Sequence, residues 1–281
     1  MHPTSPFNLR LEEYRTHPDP EERGRILIQY ASLAPHMCEG SPWVLEIESS
    51  RVFLRASAEC ATVNPRAQYV ACGSALHYLE VGMRRFGRKP ITRTFPDLRS
   101  PDLLAVVDAG PVLAPEPATL RAFEAILNRH PVGLRLDPRP VRGALVRSLL
   151  EDIDIHPGTR IDILTDAAER IRLAQALADR GSPDVAGVTA DGPVPVLLAS
   201  RNDSKASRLE AGRVLAELLL AAAGRGLAAR FRAEGFTSPE SRARLHALAG
   251  PDMRVQAWLQ VGYPLLGGGR ASVNDVARNI F

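Results

Sequence analysis

His36, Cys38 and Glu39 place three reactive or metal-ligating side chains within four residues. A thiol activated by an imidazole could attack an electrophile, with His36 or the distant His130 as base. His, Cys and Glu are equally the ligands of zinc. No second ligand pair at metal spacing stands elsewhere in the chain, which favours a plainer reading: a buried thiol beside a packed loop histidine. Cys72 is a second thiol of interest, expected where a helix opens and where amide dipoles lower a thiol's pKa. Ala211, at the matching place later in the chain, argues instead for a small packing residue. Gly267-Gly268-Gly269-Arg270 has glycines enough to cradle phosphate, yet lacks the strand–loop–helix with Lys-Ser/Thr of a P-loop, and reads as a tail. Asp152, Asp154, Asp162 and Asp166 read as a solvated face rather than a metal site.

The elements that must hold these residues follow from periodicity. Pro20 to Leu33 starts Pro-Glu-Glu and lines Ile26, Leu27, Tyr30 and Leu33 along one helical face. Further helical patterns run over 66–86, 117–128, 140–152, 166–180, 204–225 and 239–249. Strand patterns occupy 43–48, 52–56, 91–95, 104–108, 160–164, 194–200, 227–232 and 254–261. The order has no regular βαβ rhythm, so the expectation is an α+β fold with mixed or antiparallel sheets flanked by helices.

Composition narrows the function classes. The chain has 281 residues, 45% hydrophobic and 24% charged, enough for a full core. A net charge of +3 with 5% aromatic residues argues against a nucleic-acid surface, which would concentrate basic residues beside stacking rings. Three cysteines without CxxC spacing, no apolar run at the N-terminus and no apolar segment of membrane length lead to the expectation of a cytoplasmic protein.

The sequence also repeats itself. Cys72-Gly73-Ser74-Ala75-Leu76 and Ala211-Gly212-Arg213-Val214-Leu215 each start a stretch that ends at a glycine, Gly87 or Gly226. Both glycine pairs are fourteen residues apart, with Leu76/Leu215 and Leu79/Leu218 in register. Arg23-Gly24 and Arg142-Gly143 precede the first strand of each half. Two similar halves, about 1–115 and 116–281, are therefore expected within a single unit, folding as a pseudo-dimer.

Helix, AP-x₆-PW, strand, then CG-x-AL on a long helix resembles the nitroreductase-like superfamily, and in particular its single-chain Acg family. Ala125 to His130, Leu209 to Gly212, Gly226 to Ala228, Leu259 to Pro264, Arg270 and Asp275-Val276 extend the likeness over nearly the whole chain. The resemblance implies an FMN-dependent oxidoreductase, with flavin between the halves, a small-molecule substrate and NAD(P)H as a possible reductant. It implies flavin contacts from Pro35, His36, Met37, Glu39 and Ser41 of the first loop. Arg129, His130, Arg135 and Arg270 would lie at the phosphate end.

Several of these positions depart from the family's pattern. Its loop reads roughly APSxHNxQPW, whereas the residues here are His36, Cys38-Glu39 and Ser41. Glu39 accepts hydrogen bonds but cannot donate them when ionised, and it adds negative charge near a ring that becomes anionic on reduction. The phosphate clamp, R-x-(S/T)-x-R, reads Arg129-His130-Pro131-Val132-Gly133, with Arg135 two residues on as a substitute cation. The second Arg of an Arg-Arg-Pro motif is Ala271, and a lid glutamate is Thr237. Two readings therefore stand: a flavoprotein with an atypical site, or a flavin-free protein that uses the pocket around His36, Cys38 and Glu39.

Overall fold

Capping residues and glycines set the limits of the helices. In the computed structural model, α1 (Pro20–Ala31) starts at Asp19, whose carboxylate accepts the Glu21 amide at 2.9 Å, with Pro20 preset for the first turn. The structure describes residues 13–14, 17–36, 40–61, 65–130, 134–178, 188, 191–232, 236 and 239–265. The chain divides into two compact units, Met1–Ile126 and Leu127–Phe281.

In the first unit, β1 (Trp43–Glu48) and β2 (Arg51–Ala56) form a hairpin. After the short α2 (Ala58–Ala61) comes α3 (Pro65–Arg85), then β3 (Arg88–Thr94), β4 (Leu103–Val112) and α4 (Pro117–Asn128), which runs across the division between units. The sheet order is β1-β2-β4-β3, antiparallel throughout. Val52, Leu54, Ala105 and Val107 lie on its inner face, under 2% exposed, and α1 and α3 pack together over that side. The opposite face carries ion pairs across the strands: Arg51–Asp108 at 2.7 Å, Arg93–Asp108 at 2.8 Å, and Arg55 to both Glu46 and Asp102 at 2.9 Å. Alternation in the sequence encodes this half-covered sheet.

The second unit contains α5 (Gly143–Ser148), a short 3₁₀ turn, β5 (Thr159–Ile163), α6 (Ala167–Leu177), β6 (Val194–Ser200), α7 (Lys205–Gly224), β7 (Ala228–Arg232), α8 (Pro239–Ala249) and β8 (Arg254–Gly262). Its sheet order is β5-β6-β8-β7, again wholly antiparallel. Helices cover both faces, so β6 is buried along its whole length. α6 and α8 enclose a core of Leu173, Leu177, Leu197, Leu245, Val255 and Trp258, and α7 packs on β6 from the other side.

The two sheets share more than strand order. Both sheets shift register at the same place: opposite Leu54 and Arg55 of β2, β4 has the extra residue Leu104, and opposite Leu198 and Ala199 of β6, β8 has the extra residue Gln256. The long helices α3 and α7 both give way to a glycine at positive φ, Gly87 at 84° and Gly226 at 70°, a conformation glycine adopts at least cost. The Arg-Gly pairs serve packing: a Cβ on Gly24 would run into the Ile47 side chain, and one on Gly143 would sit 2.6 Å from Thr165 Cγ2. Each glycine lets its helix approach the end of the first strand. The α+β architecture matches the sequence expectation, and the sheets are antiparallel rather than mixed.

The outer ion pairs give a pH signature. The Arg55 hydrogen bond holds the Asp102 carboxyl below its ordinary value of 3.8. A carboxyl depressed in the fold stabilises above its unfolded pKa, and that contribution is lost as pH falls through the folded value. The stability gap between wild type and Arg55→Met, from urea melts, is therefore expected to be widest near neutral pH and to narrow below about pH 4. A gap that stayed constant down to pH 2 would mean the pair is energetically idle.

Candidate functional site

The loop after α1 is fixed by backbone hydrogen bonds and by its prolines. Leu33 and Ala34 amides turn back to Tyr30 and Ala31 carbonyls at 3.1 and 3.0 Å, closing the helix just before buried Pro35. His36 is exposed and meets the Trp43 ring edge-on, centroids 5.4 Å apart. Gly40 has a φ of 79°, and the exposed Ser41 donates its hydroxyl to the Trp43 carbonyl at 2.7 Å. Met37, Cys38 and Glu39 lie outside the described residues.

The Pro42 carbonyl is the anchor of this loop. It accepts the Ser57 amide at 3.1 Å, the Gln68 side-chain amide at 3.1 Å and the Cys72 thiol at 3.5 Å. Gln68, 1% exposed, also donates to the Ser57 carbonyl. Cys72 is fully buried in the interior of α3, eight residues' worth of helix from its start at Pro65 when both are counted. The sequence expectation that it opens a helix is corrected: α3 starts earlier because Pro65 supplies a first-turn residue. Cys72 packs and tethers, and its thiol lies away from the helix-end dipole.

In the second unit, Arg129 is 7% exposed and donates to the His130 carbonyl at 3.2 Å. His130 is half-buried and Arg135 exposed. The segment around Arg135 is joined to the end of β8: the Leu265 amide donates to the Arg135 carbonyl at 3.0 Å, and the Asp137 amide to the Tyr263 carbonyl at 2.9 Å. Leu136 and Pro264 form an antiparallel bridge between these bonds. Arg139 lies over the Tyr263 ring at 3.8 Å. Pro131, Gly133, Thr237, the 267–269 glycines and Arg270 lie outside the described residues.

The carboxylate run disperses. Asp162 pairs with Arg160 at 2.8 Å, and Asp166 caps α6 by accepting the Ala168 amide at 2.6 Å. Among the described residues no group of three or more His, Cys, Asp or Glu is placed to hold a metal ion. None of their helices is long and apolar enough to cross a membrane.

One feature of the first unit was not anticipated from the sequence. A cleft of about 500 Å³ opens beside the N-terminal half of α1, with Tyr14, Arg23 and Arg88 in its wall. Tyr14 stacks on Phe86 at 4.4 Å. Burial raises the Tyr14 pKa, while the Arg23 and Arg88 guanidiniums pull it down. In the sequence, Arg23-Gly24 and the glycine before Arg88 stand out only as repeat markers; nothing local joins them to Tyr14.

No family model matches the chain, and no curated protein matches it. Solved structures similar to it include three enzymes whose names mention FMN. A nitroreductase with bound FMN from Bacteroides fragilis is 18% identical, with 53% of this chain and 90% of that one covered, at a TM-score of 0.40. An FMN-dependent nitroreductase from Clostridium difficile is 12% identical, covering 52% and 90%, at 0.41. The NADPH:FMN oxidoreductase of Vibrio harveyi, complexed with NAD+, is 15% identical, covering 56% and 82%, at 0.40. Likeness at this level assigns no ligand and no residue role to this chain.

Proposed function

We propose that the chain is a nitroreductase-like protein of Acg type, two duplicated halves in one polypeptide, that binds FMN at an atypical site. The observation that carries this reading is the preserved loop frame. Pro35, Pro42 and Trp43 are buried, and three donors converge on the Pro42 carbonyl. The sequence has changed the polar residues of this loop while keeping the scaffold that presents them. The shared strand order and the matched bulges support the duplication.

The residues fit a flavin in part. Backbone groups of 36–41 would face the ring. Exposed Arg135, on a strand-like tether, is able to take the place of the second clamp arginine, and Arg270 would join it at the phosphate. Bound FMN would supply hydride chemistry, with NAD(P)H as reductant in the cytoplasm; the protein supplies position and electrostatics.

A second reading, a flavin-free protein of this fold, is favoured by one observation. Ser41, at a position whose side chain would contact the ring, already donates its hydroxyl proton to the Trp43 carbonyl. Flavin absorbance of the purified protein separates the two. The flavin reading predicts a yellow protein that releases FMN on denaturation, or a colourless one whose melting temperature rises with added FMN. Absence of both responses would overturn it. The triple change Glu39→Asn, Pro131→Ser and Gly133→Arg is expected to tighten FMN binding by at least about tenfold, through one restored clamp cation and the removal of a misplaced carboxylate.

A further inference from the structure

We infer that the cleft beside α1 is a binding site for a small carboxylate with an apolar body, separate from the loop at Pro35. The cleft's volume, about 500 Å³, is within the range of roughly 300–1,000 Å³ usual for small-molecule sites. Its wall is formed by the N-terminal half of α1, the residues just after α3 and the end of β4. The Pro35 loop leaves α1 from the other end.

Its chemistry is one-sided. Arg23 and Arg88 are the charged groups in the wall, and none of the lining residues is an Asp or Glu. Arg23 donates to the His17 carbonyl at 2.8 Å and Arg88 to the Ala109 carbonyl at 3.2 Å. Neither forms an ion pair with a described residue. A guanidinium offers five N–H donors, so each retains several after its carbonyl bond. Two half-buried cations without a counter-ion among the described residues are matched by an anion brought by a ligand.

The remaining wall selects for more than charge. Val112 and Leu113, 80% and 36% exposed, give it accessible apolar surface over a floor of buried Leu27, Val52 and Phe86. Tyr14 stands against Phe86 and is acted on by both guanidiniums, so a neutral phenol and two cations share one locus. A phenol donates a hydrogen bond to a carboxylate oxygen, while its ring continues the apolar wall. A fully hydrated ion such as inorganic phosphate would forgo that apolar contact; an aromatic or branched carboxylate uses both parts.

Titration calorimetry of the full chain with 1-naphthoate, 1-naphthalenemethanol and inorganic phosphate tests the assignment. Naphthoate is expected to bind at least about tenfold more tightly than either of the others, because only it pairs a charge with an apolar body. Arg23→Met with Arg88→Met is expected to weaken naphthoate by at least tenfold, and hydrogen exchange should show protection over 20–27 and 109–115 when naphthoate is bound. Equal affinity for the neutral alcohol, tighter binding of phosphate, or protection confined elsewhere would each overturn the assignment. The ligand comparison on the wild type decides the matter even if the double variant fails to fold.

Discussion

Trp258→Ala is expected to cost about 3–5 kcal/mol of stability, the usual range for deleting a fully buried aromatic side chain. Trp258 is 1% exposed in the middle of β8 and pairs with Leu197 of β6 on one side and Arg232 of β7 on the other. Its ring meets the core enclosed by α6 and α8, and the Arg232 guanidinium lies 5.6 Å from its centroid. Truncation opens a cavity that two helices and three strands would have to collapse around, and it removes the ring that Arg232 faces. Because domains of this size hold only about 5–15 kcal/mol in total, the variant should melt far below wild type in circular dichroism. Trp258→Phe should recover most of the loss. A Trp258→Ala melting curve that overlays the wild type would show that this core is not packed as described.

Gln68→Ala should have the second-largest effect, and its effect reaches the candidate flavin loop. One side-chain amide, 1% exposed, donates to both the Pro42 and the Ser57 carbonyls. Removing it leaves buried acceptors short of a donor, at roughly 1–3 kcal/mol for each group left unsatisfied, so about 2–4 kcal/mol is expected. Pro42 keeps the Ser57 amide and the Cys72 thiol, which places the heavier loss at Ser57. Urea melts should show the destabilisation, and hydrogen exchange should rise at 41–43. Gln68→Glu is the informative companion: a carboxylate facing two carbonyls offers no donor while ionised, and it should be at least as damaging at neutral pH. If the protein binds FMN as proposed, both variants should weaken FMN more than the exposed change Ser41→Ala does.

Much of the fold is legible in the sequence because its signals are local. Strand β6 was expected at 194–200 and forms there, since an unbroken apolar run bounded by turn residues suits a strand covered on both faces. Helices at 117–128 and 239–249 are placed as expected, each opening with a proline at its first position. The helix expected over 140–152 is instead α5 followed by a 3₁₀ turn, with Ser148 donating its hydroxyl back to the Leu145 carbonyl at 2.8 Å. Such back-bonding competes with helix continuation, and periodicity does not register it.

The candidate site was less legible. Side chains with recognisable chemistry drew attention to His36, Cys72 and the aspartates. Yet His36 is exposed against a ring edge, Cys72 serves the Pro42 anchor, and the aspartates are divided among a cap and a strand-edge ion pair. Gln68, an unremarked residue of a long helix, holds the loop. A buried glutamine's role depends on which carbonyls come within its reach, and those are 26 and 11 residues away in the chain.

The sequence by itself determined most of the elements, the helix-ending glycines at 87 and 226 and the loop frame of Pro35, Pro42 and Trp43. These depend on backbone freedom, proline geometry and apolar spacing, which act over a few residues. Only the tertiary structure decided that both sheets are wholly antiparallel with bulges at the same step. It alone made the Arg-Gly pairs points of close helix–strand approach, and it alone gathered Tyr14, Arg23 and Arg88 around one cleft. Those outcomes rest on strand pairing and burial between residues tens of positions apart, where contact follows from the packing of the whole unit rather than from any local pattern.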